Sequence, residues 1–286
     1  MLHFIYNPTA GGGRAEQARR AIEPRLKGIP HAFHPTRVRG EASAIAGQLS
    51  ADGADIIAMG GDGTLHEVLN GLADPARARL GLIPCGSGND FAAAAGIPQD
   101  PVRALEIILR GEAKPTDYME CAGVRGINAI GTGIDVDILR RYARMKVLKG
   151  SAAYLASLIL TVVAYRPKRF SEIVDGAAEP HEALIACAAN GRSIGGGIPI
   201  APKAEIDDGL LDVVIIDGIK KPAIPRAFVR LMRRRVLELK QTLFKRQSAL
   251  SVRADAPMPI QIDGEIYENL PFDVKLIHGA LRFYRP

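Results

Sequence analysis

Residues 55–66 read Asp-Ile-Ile-Ala-Met-Gly-Gly-Asp-Gly-Thr-Leu-His. The short unbroken apolar run is a strand buried on both faces, and it passes through glycines directly into the helical pattern of residues 65–72. A strand that ends in glycines and opens into a helix is an anion site. Without Cβ atoms the backbone can approach phosphate oxygens, and the first N–H groups of the helix point at them with the positive end of its dipole behind. Asp62 would repel phosphate there, so it implies either an intervening Mg²⁺ or a hydroxyl whose proton must be taken. Thr64 and Glu67 also fit the S/T-x-x-E capping box, which accounts for the threonine but not for three glycines around an acid.

Outward from this stretch the same alternation recurs. Strands are expected at residues 2–6, 32–36, 55–59 and 80–83, with helices at 14–26, 41–49, 65–72, 91–95 and 102–109, which is a parallel α/β sheet. Two more glycine-rich loops follow strands in this half, Asn7-Pro8-Thr9-Ala10-Gly11-Gly12-Gly13 and Pro84-Cys85-Gly86-Ser87-Gly88-Asn89-Asp90. Such loops gather at the carboxyl edge of a parallel sheet, where ligands bind. None completes a Walker P-loop or G-x-G-x-x-G. After Lys114-Pro115-Thr116 strand-like runs dominate, so an α/β domain over 1–116 and a β-rich domain over 117–286 are expected, the last strand near 281–286 free to return to the first. Helices are expected within the second domain at residues 151–164 and 225–243.

With 286 residues, 47% of them hydrophobic and 24% charged, the chain is globular and has a sizeable core. Cys85, Cys121 and Cys187 are odd in number and widely spaced, which argues against a disulfide framework or zinc site and for a reducing cytosol. The N-terminus lacks a basic n-region, and the longest near-apolar stretch, residues 152–165, falls short of the ~20 residues that span a bilayer. The net charge of +6 is concentrated: residues 226–247 carry eight basic residues and one acid, Glu238. Localised charge of this kind points to an anionic partner surface.

Four motifs in order carry a family resemblance: Gly60-Gly61-Asp62-Gly63-Thr64; Gly86-Ser87-Gly88-Asn89-Asp90-Phe91-Ala92; Ala201-Pro202-Lys203-Ala204 leading to Asp207-Asp208-Gly209-Leu210-Leu211-Asp212; and Asp263-Gly264-Glu265. Together they resemble the soluble bacterial diacylglycerol kinase-like lipid kinases over nearly the whole chain. The resemblance implies an N-terminal nucleotide-binding α/β domain, a C-terminal β-sandwich-like domain, an active site in the cleft between them, and transfer of phosphate from ATP with Mg²⁺ to a lipid hydroxyl. It implies that Asn7, Pro8, Thr9, Ala10, Gly11, Thr36, Gly60, Gly61, Asp62, Gly63, Thr64, Leu65, His66, Ser87 and Asn89 contact ATP. It also implies that Asp208, with the carbonyls of Glu205 and Leu210, holds a structural Mg²⁺, and that Glu265 is the catalytic base with Asp263 in support and Asp62 opposite. Three positions depart from the family pattern: Ala93 stands where an Arg often follows, His66 replaces a frequent Asn, and Ser87 replaces Thr.

Other readings meet the same residues. Asp263-Gly264 between strand-like runs is a hairpin turn signal in its own right. Gly191-Arg192-Ser193-Ile194-Gly195 fits the hydrolase elbow G-x-S-x-G, but Gly196, Gly197 and Pro199 follow where a helix is required. NAD kinases share G-G-D-G-T, yet do not explain the other motifs. The basic run has neither aromatic interleaving nor zinc spacing, which argues against nucleic acid. It reads instead as a helix from Pro225 with an apolar stripe of Val229, Met232, Val236, Leu239 and Leu243. Arg226, Arg230, Arg233, Arg234 and, further on, Arg246 would dock on anionic membrane, giving a cytoplasmic protein peripheral at the inner face. Diacylglycerol, a sphingoid base, ceramide and phosphatidylglycerol all stand as acceptors, and the oligomeric state, a homodimer included, is open.

Overall fold

The apolar run around Ile56 is strand β3 (Asp55–Gly60), buried along its whole length. It lies between β1 (Leu2–Tyr6) and β4 (Arg79–Pro84), parallel to both, with β2 (His31–Pro35) parallel to β1 at the edge. In the computed structural model, which describes all residues except 52, 145–156, 158, 159 and 163, the chain divides into two units. The first is Met1–Tyr118 with His278–Pro286, the second Met119–Ile277.

Helices α1 (Ala10–Ile22), α2 (Glu41–Ser50), α3 (Asp62–Gly71), α4 (Asp90–Ala94) and α5 (Pro101–Leu109) join the strands of the first unit. Phe4, Ile5, Ile56, Ile57, Leu65, Leu69 and Leu80 are fully buried. The chain's final residues complete this sheet: Arg282 and Phe283 pair in parallel with Arg79 and Leu80. Phe283 packs edge-on against Phe91, ring centroids 5.1 Å apart, and the Tyr284 hydroxyl donates to Asp55 at 2.7 Å. The C-terminal strand thus braces β3 and α4, which border two of the glycine loops.

The second unit is antiparallel. Its spine is β9 (Ala177–Ala189), paired with β7 (Ala129–Gly133), β8 (Lys168–Val174) and β10 (Leu211–Asp217). Successive residues of β9 and β10 enter opposite cores: Ala186, Ala188, Val213 and Ile215 on one side, Ile185, Cys187, Ala189, Val214 and Ile216 on the other. A strand covered on both faces must be apolar at every position, which explains the unbroken apolar runs. Strands β5 (Ala113–Cys121), β6 (Val124–Gly126), β11 (Thr242–Gln247), β12 (Ala249–Arg253), β13 (Ile260–Ile262), β14 (Glu265–Tyr267) and β15 (Phe272–Tyr284), helix α6 (Ile134–Arg144) and a helix after β10 follow.

That helix corrects an expectation. Instead of running through residues 225–243, α7 spans Ile224–Met232 and stops where Arg234 takes a left-handed φ of 61°. A short 3₁₀ turn follows at Val236–Glu238, and Thr242–Gln247 becomes a strand because β10 offers it a ladder, Ile216 opposite Thr242 through Leu211 opposite Gln247. The β-branched and aromatic residues there gain more from pairing than from helix. The expected helix at 151–164 lies largely outside the described residues, Tyr154 included.

Candidate active site

Three glycine loops of the first unit meet at the carboxyl ends of β1, β3 and β4. The contact is made by backbone. The Cys85 amide donates to the Gly60 carbonyl at 2.8 Å, a Cβ on Gly11 would stand 2.1 Å from the Cys85 carbonyl oxygen, and a Cβ on Gly86 only 2.4 Å from the Gly61 Cα. Real Cβ atoms do not come that close, so these loops can converge only as glycine. Gly11, Gly12 and Gly13 have φ of 62°, 73° and 91°, so regular helix begins at Arg14, whose guanidinium donates to Ser87 Oγ at 3.2 Å. Asn7 Oδ1 accepts from the Thr9 amide at 2.9 Å and the Thr9 hydroxyl at 2.7 Å, which shapes the first loop. Asn89, buried with φ 54°, clamps the third: its side chain accepts from the Gly86 amide at 2.9 Å and donates to the Gly86 carbonyl at 3.0 Å. Asp62 opens α3 and accepts from the Phe91 amide at 3.3 Å.

The Thr64–Glu67 capping box does not form. Gly61 is the N-cap with no side-chain cap, Thr64 packs on Gly60, and Glu67 instead accepts from the Gly40 amide at 3.1 Å, near the start of α2. The N-cap of α3 is therefore a glycine that makes no side-chain cap hydrogen bond. Thr36 is buried beside β1, its amide donating to the Tyr6 carbonyl at 2.8 Å. Leu65 and His66 are buried, with Asn70 Nδ2 3.5 Å from His66 Nε2 and donating to the His66 carbonyl, whereas Ser87 and Gly63 are exposed. Of the residues expected at ATP, those of the three loops are brought together; Leu65 and His66 face the packed side of α3. Burial raises the Cys85 thiol to about 11, so packing, not reactivity, explains that residue.

In the second unit, Asp263-Gly264 is the two-residue turn of the β13–β14 hairpin, with φ of 49° and 90° as a type I′ turn requires. The Asp263 carboxylate accepts three amides, from Ile127 (2.8 Å), Asn128 (2.9 Å) and Ala129 (3.1 Å). That engagement clasps the turn before β7. Glu265 follows at the first position of β14, half-buried. Ser193 is followed by Gly195–Gly197 in left-handed conformations and an Ile194–Ile198 bridge, not by a helix, so no hydrolase elbow is present.

The acidic turn before β10 holds Asp208, with Oδ1 accepting from the Leu210 amide at 3.0 Å and Oδ2 bound by Arg246, which also reaches Asp212 at 3.1 Å. Asp212 is buried, which raises its carboxyl despite Arg246, and its Oδ2 has no hydrogen-bond partner among the described residues. Glu205 is exposed. Carboxylates and carbonyls with one buried oxygen unsatisfied fit Mg²⁺ in kind, with the Arg246 guanidinium as its competitor at Asp208.

Sequence reading missed one feature. An apolar cavity of about 130 Å³ lies within the second unit, walled by side chains such as Ile138, Leu184, Ile198 and Phe228. Asp135, at the start of α6, and Tyr165 bring polar groups to it. Asp135 is fully buried and burial raises its carboxyl to about 6; Oδ1 accepts the Val136 amide at 2.9 Å, while Asp135 Oδ2 and the Tyr165 hydroxyl have no partner among the described residues. The sequence signals were Gly133-Ile134-Asp135, an acid just after an apolar strand, and the near-apolar stretch 152–165, whose Val162 and Tyr165 line the cavity.

Fold and loops together define a two-unit protein whose α/β unit carries a phosphate-type site, and the comparisons give its family. Residues 1–121 match the diacylglycerol kinase catalytic domain and residues 128–285 the YegS C-terminal NAD kinase beta sandwich-like domain, so the chain belongs to this lipid kinase family. It is 29% identical to the diacylglycerol kinase of Bacillus subtilis (strain 168), over 99% of this chain and 95% of that one. It is 31% identical to the "probable lipid kinase YegS-like" of Xanthomonas campestris pv. campestris (strain 8004), over 92% and 89%. A crystal structure of a diacylglycerol kinase from Bacillus anthracis str. Sterne superposes with a TM-score of 0.77 at 23% identity, covering 100% of this chain and 96% of that one, which shows a shared fold. No helix among the described residues is long and apolar enough to cross a membrane.

Proposed function

We propose that the protein is an ATP- and Mg²⁺-dependent diacylglycerol kinase that yields phosphatidic acid. The glycine loops support a triphosphate donor, because their amides and the glycine N-cap of α3 offer phosphate oxygens a backbone approach free of Cβ atoms. The observation that carries the acceptor class is the apolar cavity, which suits an acyl chain and has no counterpart in the needs of a polar acceptor such as NAD. In the reaction the lipid hydroxyl oxygen forms a bond to the γ-phosphorus, the bond from that phosphorus to the ADP oxygen breaks, and the hydroxyl proton passes to Glu265. Asp62 would hold the Mg²⁺ that supplies charge neutralisation at the transferring phosphate when bound, and the Asp208 turn would hold a separate, structural Mg²⁺. Phosphoryl transfer depends mainly on positioning and electrostatics, which is the part the converging glycine loops would supply.

The test is incubation of purified protein with labelled ATP, Mg²⁺ and mixed micelles of diacylglycerol, a sphingoid base, ceramide or phosphatidylglycerol, with NAD alongside. Label in phosphatidic acid above all others supports the reading; label in NAD alone overturns it.

A further inference from the structure

Helix α7 has two faces of opposite use. Inward, Ala227 is buried, and Ile224, Phe228 and Leu231 wall the apolar cavity. Outward, at helical spacing, stand Arg226, Val229, Arg230 and Arg233, with Met232 beside them. Val229 is 47% and Met232 48% exposed. Scattered exposed apolar residues are ordinary on a soluble surface. These two share a face of one short helix, and Arg226, Arg230 and Arg233 flank them at helical spacing.

The charge around that face is not neutralised from within. Of the basic residues between 220 and 246, Lys245 pairs with Glu172 and Glu179, Arg246 with Asp208 and Asp212, and Arg235 with Glu238. Arg230 donates to the Glu238 carbonyl. Lys220, Lys221, Arg226, Arg233, Arg234 and Lys240 are exposed and have no acidic partner among the described residues. The strand portion of the basic segment is thus committed to the fold, and the free charge is confined to α7 and the turns at its two ends.

Exposed apolar side chains on a short helix with exposed cations along it and in the turns at its two ends match the chemistry of an anionic bilayer: phosphates for the arginines, the acyl boundary for Val229 and Met232. We infer that the outer face of α7 is the protein's docking surface for anionic phospholipid bilayers, and that the same helix, as one wall of the cavity, brings the cavity to the bilayer. This surface stands apart from the kinase reading, since docking requires neither ATP nor turnover. Only the delivery of an acyl chain to the cavity rests on that reading.

The test is co-sedimentation with vesicles of phosphatidylcholine alone or mixed with phosphatidylglycerol, at rising salt, without nucleotide. Wild type should bind only the mixed vesicles, and salt should release it. The triple variant Arg226→Gln, Arg233→Gln, Arg234→Gln should lose at least about tenfold in partitioning, as the loss of three interfacial charges requires. Val229→Ser with Met232→Ser should weaken the salt-resistant part of binding. Both variants should melt as wild type does and keep wild-type turnover on a dispersed short-chain acceptor, a readout that separates docking from catalysis. Equal binding to neutral vesicles, undiminished binding by the triple variant, or a concentration-dependent dimer that the Val229/Met232 variant abolishes would each overturn the inference, the last by assigning the face to a second copy of the chain.

Discussion

A Cβ on Gly86 would lie 2.4 Å from the Cα of Gly61, so the loops after β3 and β4 touch backbone to backbone. The neighbour is main chain on both sides and cannot swing away. Gly86→Ala must therefore separate the loops, at a cost of about 1–3 kcal/mol by analogy with overpacked cores. The expected outcome is a lower melting temperature and at least about tenfold weaker binding of a non-hydrolysable ATP analogue by calorimetry, since phosphate oxygens would no longer meet amides from both loops. Unchanged affinity would show that convergence is incidental to the site.

Glu265 and Asp263 sit two residues apart and should separate cleanly in experiment. Asp263 accepts three amides, so Asp263→Asn turns a donor toward amide hydrogens and should destabilise the protein by about 1–3 kcal/mol in urea. Glu265→Gln should melt normally and lower turnover by ~10²- to 10⁴-fold, as loss of a general base does. Near-normal turnover in Glu265→Gln would remove that residue from the chemistry.

Asp135 gives the fold a pH dependence of definite sign. Burial raises its carboxyl from 3.8 to about 6, so the folded state holds the proton more tightly than the unfolded chain. This contribution is fully present below about pH 4 and is lost as pH rises through about 6, a difference of about 2–3 kcal/mol at the conversion of 1.36 kcal/mol per unit. Asp135→Asn should accordingly stabilise the protein at pH 7.5 and leave stability near pH 4 almost unchanged. Equal effects at both pH values in denaturant titrations would contradict the assignment.

Arg246 neutralises Asp208 and Asp212 in the turn proposed to hold Mg²⁺. Arg246→Gln leaves those carboxylates facing one another and should lower the melting temperature in EDTA. Millimolar Mg²⁺ should then restore more stability to the variant than it adds to wild type, because the ion no longer competes with a guanidinium. A melt insensitive to Mg²⁺ in both proteins would exclude a structural cation here.

What the sequence by itself determined is local. Strand β3 with its glycines, the start of regular helix at Arg14 and the Asp263-Gly264 turn were legible because periodicity and φ preference are properties of contiguous residues. The resemblance extended this reading to the roles of Glu265 and the Asp208 turn, which no spacing alone would assign. Tertiary structure decided whatever depends on a distant partner. Thr242–Gln247 is strand and not helix because β10 stands beside it. Glu67 serves α2 and not its own helix because Gly40 lies within reach. Asp263 became a clasp because the amides of residues 127–129 converge on it, and Asp135 became a raised acid only when walls far apart in sequence closed a cavity around it. Burial and pairing are energies of assembly between segments, and a single stretch of sequence carries only half of each.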